Sequence, residues 1–181
     1  MQVTFLGTAA APSMPNPFCI CEVCVMARRI GGKNMRRRSS ILVNDDLLID
    51  IGPDTATASF TCGVSFAGVQ ICLLTHSHED HFDPEFIMAR HADYGTAVAG
   101  ELLLAASVPV LEAVDSILAR RCEYGSIFAL DTQAALGIKL LPLAPFEACQ
   151  IGDYRVIGSP ANHGKDQGYL LYAVERGGQA I

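Results

Sequence analysis

Long apolar runs are missing from this sequence of 181 residues. Its longest stretches, such as Ile71-Cys72-Leu73-Leu74, are far shorter than the roughly 20 residues that a membrane-spanning helix needs. The first residues also lack a basic segment followed by an apolar one, so they do not resemble a secretory signal. We therefore expect a cytoplasmic protein that has no membrane partner.

An excess of positive charge is also missing. The net charge is −6 and the pI is about 5.2, which argues against broad nonspecific binding to nucleic acid, so we expect no nucleic-acid partner. Repeats and low-complexity linkers are absent as well, and half of the residues are apolar, so a single domain over residues 1–181 is predicted.

Short apolar segments alternate with turn signals, and this pattern predicts a mixed α/β fold. Asn44-Asp45 is typical of a hairpin turn, and Gly177-Gly178 of another. The predicted strands are 3–6, 41–43, 47–51, 69–74, 102–105, 138–143, 154–157 and 169–174; the predicted helices are 21–30, 53–60, 84–91 with Asp83 as N-cap, and one that opens at Pro109.

A cluster of metal-binding side chains follows the strand at 69–74. Three of the five histidines, His76, His78 and His81, lie within six residues of one another together with Asp80. In an extended segment His76 and His78 point the same way and can bind one cation, whereas Asp80 and His81 lie at a turn where they can hold a second one. Two metals about 3.5–4 Å apart can activate water for hydrolysis. The isolated His91 is instead expected to be a packed or surface residue.

A second cluster contains Cys19, Cys21 and Cys24, whose spacing suits three of the four ligands of a tetrahedral zinc. A catalytic thiol would need an activating base, and no histidine is near in sequence. Small buried cysteines are the alternative. The remaining cysteines are isolated and are expected to be core thiols: Cys62, Cys72, Cys122 and Cys149.

The sequence resembles the metallo-β-lactamase superfamily, whose His-x-His-x-Asp-His motif is matched by His76, His78, Asp80 and His81. The resemblance implies an αββα sandwich in which two mainly antiparallel sheets face each other between helices, with the metals at one sheet edge. It also implies two divalent metals, zinc or manganese, at the catalytic site. One would be held by His76, His78 and a later histidine, and the other by Asp80 and His81 as catalytic residues.

Two further residues fit this resemblance. His163 follows a predicted strand and is similar to the later histidine of the first metal site, although a solvated loop histidine is the alternative. Asp50 is similar to the acidic residue that supports the metal ligands in this family, although an ordinary turn aspartate at a strand end is the alternative.

The cysteine cluster narrows the resemblance to the phosphodiesterase branch associated with phosphonate breakdown by carbon–phosphorus lyase. The matching segments are Gly7 to Pro12, the Cys-x-Cys-x-x-Cys group, Ala27-Arg28-Arg29, Arg36 to Ser40 and Leu74-Thr75-His76. The resemblance implies a structural zinc at the three cysteines and hydrolysis of cyclic ribose phosphates or related phosphodiesters through a metal-bound hydroxide. Other hydrolases of this superfamily, acting on RNA, lactones or thioesters, remain alternatives.

The arginines at 36–38 could hold a substrate phosphate by paired hydrogen bonds. Neighbouring side chains of an extended segment point in alternating directions, however, so all three cannot reach one pocket. A solvated loop is the preferred interpretation.

The family pattern continues beyond this chain. A bridging aspartate and further histidines are expected after the strand that ends near Glu175, and the sequence stops at Ile181. We therefore expect a fold that is incomplete in its second half, with its C-terminal part missing. A non-catalytic metal-binding protein is then a rival to the enzyme, and the unpaired sheet edge makes a homodimer plausible.

Overall fold

A six-stranded sheet forms the first layer of the computed structural model, which describes residues 1–94, 97–98, 100–121, 125–163 and 168–181. Its strands follow one another in space in the order of the chain. They are β1 (Val3–Gly7), β2 (Ser40–Val43), β3 (Leu47–Ile49), β4 (Ile71–Leu73), β5 (Leu102–Ala106) and β6 (Ile138–Pro142). The β1–β2 and β2–β3 pairs are antiparallel, whereas β3 to β6 are parallel.

Helices make the connections that parallel strands require. Helix α2 (Thr55–Cys62) connects β3 to β4, α3 (Glu85–Met88) lies between β4 and β5, and α4 (Val108–Ala119) and α5 (Leu130–Leu136) lie between β5 and β6. Helix α1 (Glu22–Ile30), followed by a 3-10 turn at Gly32–Asn34, lies in the long connection between β1 and β2.

The second sheet is antiparallel throughout and has the spatial order β10, β9, β8, β7. Its strands are β7 (Ala148–Ile151), β8 (Tyr154–Pro160), β9 (Leu170–Arg176) and β10 (Gln179–Ala180).

Alternate residues of the central strands face two different cores. Leu48 and Leu104 pack on the helix side with Leu111 of α4, whereas Leu73 packs on the other side with Val156 of the second sheet. Burial on both faces explains why β3 and β4 are continuous apolar runs. Helices, first sheet and second sheet therefore form successive layers.

The predicted strands and hairpins are present, with ends that shift by a few residues. The description of both sheets as mainly antiparallel is wrong for the first sheet, because β3, β4, β5 and β6 are parallel. Strand β7 and helix α5 were not predicted from the sequence.

Two helix predictions have the wrong extent. The helix predicted at 84–91 covers only Glu85–Met88, and its N-cap is Pro84 rather than Asp83. After Met88 the chain continues in turns and not as an α-helix, because the backbone N–H groups of Arg90 and His91 donate to carbonyls three residues back. The helix predicted at 53–60 begins later and is α2. None of the helices in the described ranges is both long and apolar enough to cross a membrane.

Candidate metal centre

The histidine loop, which contains His76, His78, Asp80 and His81, follows the buried end of β4 and turns sharply. The backbone N–H groups of His81 and Phe82 both donate to the carbonyl of His78, at 2.9 Å each, and Phe82 is only 1% exposed. The buried phenyl ring anchors the end of the loop, so the polar side chains before it are held at the sheet edge.

Three imidazoles form the first ligand group, His76, His78 and His163. One ligand atom from each lies within 4.8 Å of the other two. The ring centroid of His76 is 4.7 Å from that of His78 and 4.9 Å from that of His163. His76 is buried, whereas the other two are exposed. The group can hold one cation and leave one side of it open to a substrate.

Contacts between the two sheets bring His163 to this place. The backbone N–H of Leu170 donates to the Thr75 carbonyl at 3.1 Å, and the Tyr172 hydroxyl donates to the Leu74 carbonyl at 2.8 Å. Since β8 pairs with β9, the residues that follow β8 are held beside the histidine loop. The described part of this connection ends at His163 and resumes at Gly168.

The second ligand group consists of His76, Asp80 and His81, whose ligand atoms also lie within 4.8 Å of one another. Nε2 of His81 is 3.4 Å from the Asp80 carboxylate. His76 belongs to both groups, and an imidazole Nε2 has a single lone pair, so it can serve only one cation. Among the described residues, a second cation would therefore have Asp80 and His81 as its own ligands.

Asp50 lies behind both groups. It is 3% exposed and has a φ of 63°, in the left-handed region that side chains rarely adopt. Its carboxylate accepts hydrogen bonds from the Thr75 backbone N–H at 2.8 Å and from Nδ1 of His81 at 2.6 Å. Asp50 thus contacts the candidate ligand His81 directly and belongs to neither ligand group.

The neighbourhood shifts the pKa values of these groups. Burial raises the pKa of Asp50, against the opposing effect of His81 and of the Thr75 hydrogen bonds. Burial by itself would lower the pKa of His81, but the hydrogen bond to Asp50 and the charges of Asp50 and Asp80 raise it overall. The two residues therefore form a hydrogen-bonded acid–base pair.

His76 is prepared to act as a neutral ligand. Burial, together with the charges of the neighbouring histidines, lowers its pKa to about 4. Its Nε2 atom is buried and has no hydrogen-bond partner among the described residues. A buried nitrogen without a partner is costly unless something binds it, so this atom fits a cation.

Gly52 allows a close approach between two parts of the site. A Cβ built on Gly52 would lie 2.3 Å from the backbone oxygen of Asp80. Because only glycine leaves this space free, the end of β3 can pass directly beside the histidine loop.

Tyr169 was not identified as a site residue from the sequence. It is 6% exposed, and its hydroxyl lies 3.2 Å from Nε2 of His78. A tyrosine at the start of a strand has no pattern that marks it as functional, and only the docking of β9 against the histidine loop brings it here.

The three cysteines of the second cluster also converge, and their sulfur atoms lie within 4.8 Å of one another. Cys24 is buried and Cys21 is exposed. The Arg28 guanidinium donates to the carbonyls of Cys19 and Asn16, so it holds the loop against α1. The hydrogen bond from the Cys24 backbone N–H, and then those with the neighbouring thiols, lower the pKa of Cys21. An accessible thiol with a lowered pKa suits metal binding.

The isolated cysteines are only partly as predicted. Cys72 is buried in the core, whereas Cys62 and Cys149 are partly buried at the edges of the two apolar clusters. Cys122 lies outside the described residues.

The arginine run diverges, as the alternation of an extended segment predicts. Arg37 donates to the Leu6 carbonyl at 2.8 Å, whereas Arg38 donates to the Asp54 carboxylate at 3.0 Å. Arg38 also lines a cavity of about 930 Å³ that is bounded by the histidine loop. The charged side chains of this cavity are Arg38, Arg120, Arg121, Glu79, Asp80 and Asp83.

No protein-family model matches the sequence, and no curated protein matches it. Solved structures do match. A diphosphatase of the PhnP family is 19% identical to this chain, with a TM-score of 0.70. The match covers 98% of this chain and 63% of the diphosphatase. The Zn²⁺-bound PqqB from Methylobacterium extorquens shares 21% identity over 99% of this chain and 63% of its own, with a TM-score of 0.72.

A third structure is a metallo-β-lactamase fold protein from Bacillus subtilis, with 16% identity, a TM-score of 0.58, and coverage of 98% of this chain and 58% of its own. The chain thus spans about 60% of the length of these three proteins. Architecture and comparisons agree that the chain has the metallo-β-lactamase fold.

Proposed function

We propose that this chain forms the metal-binding part of a hydrolase that cleaves phosphodiesters, with cyclic ribose phosphates as the preferred class. The convergence of His76, His78 and His163 on one point is the observation on which the proposal rests. Nε2 of His76 is buried and unpaired among the described residues, at a free-energy cost that a bound cation would remove.

The residues of the site have separable roles in this proposal. His76, His78 and His163 would hold one divalent cation, and Asp80 and His81 would hold another. Bound cations would activate a water molecule near neutral pH and offset the charge that develops on the phosphoryl oxygens. The exposed side chains of His78 and His163 leave that face of the site open to a substrate.

The cavity beside the histidine loop supports an anionic substrate. Three arginines, Arg38, Arg120 and Arg121, line it beside three carboxylates. Guanidinium groups bind phosphate through paired hydrogen bonds. The Arg38 guanidinium is held by Asp54 and by the Ala11 carbonyl, so its position is set before any ligand arrives. A neutral lactone would make no use of these charges. The presence of a diphosphatase among the solved structures with this fold also supports a phosphoryl substrate.

Parallel assays on a cyclic ribose phosphate, a generic phosphodiester and a lactone test the substrate class. We expect the zinc- or manganese-loaded protein to hydrolyse the two phosphodiesters and not the lactone. His78→Ala should abolish the activity, whereas His91→Ala, at a histidine outside the ligand groups, should retain it. Activity on the lactone alone, or equal loss in the two variants, would overturn the proposal.

The arginines are tested by a second matched pair. Arg120→Ala should raise KM for the phosphodiester roughly tenfold or more, since a hydrogen bond to a charged group contributes about 1.5–3 kcal/mol. Arg155→Ala is the control, because Arg155 pairs with Glu175 on the second sheet and does not line the cavity. An unchanged KM in Arg120→Ala would refute the anionic subsite.

A metal-binding protein without catalysis is the second candidate, and one observation favours it. The second ligand group shares His76 with the first, so among the described residues only Asp80 and His81 are ligands of its own. A second cation would be held by these two residues alone. Elemental analysis separates the two functions: two metals per chain besides the cysteine zinc support the hydrolase, and a single one supports the binding protein.

The cysteine cluster is proposed to bind a structural zinc. Cys19, Cys21 and Cys24 supply three thiol ligands at the N-terminal end of α1, and thiolates favour zinc over manganese. Such a site would fasten the long β1–β2 connection without taking part in hydrolysis.

A further inference from the structure

The Thr75 hydroxyl lies between Asp50 and His76. Its Oγ1 atom is 2.8 Å and 3.0 Å from the two carboxylate oxygens of Asp50 and 2.9 Å from Nδ1 of His76. A hydroxyl has one proton to donate and two lone pairs that accept. The neighbour that accepts the hydroxyl proton determines whether Nδ1 or Nε2 of His76 carries the proton of the imidazole.

The geometry points to donation toward Asp50. The oxygens of Asp50 carry lone pairs that accept hydrogen bonds, so a Thr75 hydroxyl that donated elsewhere would turn its own lone pairs toward two oxygens only 2.8 and 3.0 Å away. The Thr75 oxygen must then accept from His76, which places the imidazole proton on Nδ1. Nε2 of His76, the buried nitrogen without a partner among the described residues, keeps its lone pair.

His81 is oriented by the same carboxylate without an intermediary. Its Nδ1 donates to Asp50 at 2.6 Å, and its Nε2 lies beside Asp80. Nδ1 of His76 thus faces Asp50 through the Thr75 hydroxyl, whereas Nδ1 of His81 contacts Asp50 directly.

We propose that Thr75 is a positioning residue whose hydroxyl extends the hydrogen bonding of Asp50 to His76, so that one buried carboxylate orients a ligand in each group. The inference rests on the proposed function as far as the cation is concerned. The tautomer of His76 is a property of the chain itself and can be measured separately.

Three variants separate the hydroxyl from the shape of the side chain. Thr75→Val removes the hydroxyl at nearly constant volume, and Thr75→Ser keeps it. Thr61→Val is the matched control on α2, because the Thr61 hydroxyl bonds only to its own helix, at the Thr57 carbonyl. Each is compared with the parent chain.

The first measurement is the tautomer of His76, from the nitrogen chemical shifts of its imidazole in the metal-free protein. We expect Nδ1–H in the parent, in Thr75→Ser and in Thr61→Val, and a shift toward Nε2–H in Thr75→Val. An Nε2–H tautomer in the parent overturns the proposal without recourse to any variant, so a poorly folded Thr75→Val would not leave it undecided.

The second measurement is a zinc titration by calorimetry, with zinc per chain counted in parallel. Loss of a residue that orients a metal ligand typically costs 10–100-fold in affinity, and we expect this loss in Thr75→Val and rescue in Thr75→Ser. Parent affinity in Thr75→Val overturns the inference and leaves the hydrolase intact. A parent chain that binds zinc only at its cysteines refutes the proposed function, and the tautomer still decides the role of Thr75.

Discussion

Substitution of Asp50 by asparagine should weaken metal binding through a change of tautomer in His81. In the parent, Oδ1 of Asp50 accepts from the Thr75 backbone N–H and Oδ2 accepts from Nδ1 of His81. A backbone N–H cannot reverse its polarity, so the amide oxygen of the introduced asparagine must take the place of Oδ1. The amide NH₂ then faces Nδ1 of His81, and two donors meet.

His81 can relieve this conflict by moving its proton from Nδ1 to Nε2. Nε2 is the atom beside the Asp80 carboxylate, 3.4 Å away, so the proton would occupy the lone pair that a cation needs. A hydrogen bond to a charged group contributes about 1.5–3 kcal/mol. Since about 1.4 kcal/mol corresponds to tenfold in affinity, we expect zinc binding to weaken by roughly 10- to 100-fold.

Folding should be affected less than metal binding. Burial raises the pKa of Asp50, which means that its ionised form is costly inside the protein. The neutral amide avoids that cost and offsets part of the lost hydrogen bonding. A metal-free Asp50→Asn protein should therefore lose little thermal stability.

Zinc calorimetry and thermal denaturation of the same preparations test this reasoning. Asp45→Asn is the control, because Asp45 is an exposed residue of the β2–β3 turn and makes the same change of charge. Parent affinity in Asp50→Asn, or an equal loss in Asp45→Asn, would refute the mechanism.

Three further predictions concern other parts of the molecule. Gly52→Ala should cost about 1–3 kcal/mol of stability and weaken zinc binding, since its Cβ would lie 2.3 Å from the Asp80 oxygen; an unchanged Tm would contradict this. In the metal-free chain an alkylating reagent should label Cys21, and zinc should protect it. Cys72, whose pKa is raised by burial, should react only after unfolding. Labelling of Cys21 that zinc does not change would refute the cysteine site. Leu104→Ala, at a fully buried position, should destabilise by about 2–5 kcal/mol in denaturant unfolding, and a much smaller loss would show a looser core.

Much of the local structure could be predicted from the sequence because short-range chemistry determines it. The Asn44-Asp45 turn, the apolar run of β4 and the helix after Cys21 each depend on neighbouring residues. The parallel pairing of β3 to β6 could not be read in this way, because apolar runs of the same kind occur in parallel and antiparallel sheets. Helix α3 is shorter than its pattern indicates, since the backbone N–H groups of Arg90 and His91 bond to carbonyls three residues back instead of four.

The sequence by itself determined which side chains form most of the candidate site. Spacing within one loop brings His76, His78, Asp80 and His81 together, and spacing within another brings the three cysteines together. Only the tertiary structure decided which distant groups complete the centre. Packing of the second sheet against β4 places His163 and Tyr169 beside His76, and the pairing of β3 with β4 places Asp50 against Thr75 and His81. Contacts over tens of residues depend on how layers pack, which no local pattern specifies.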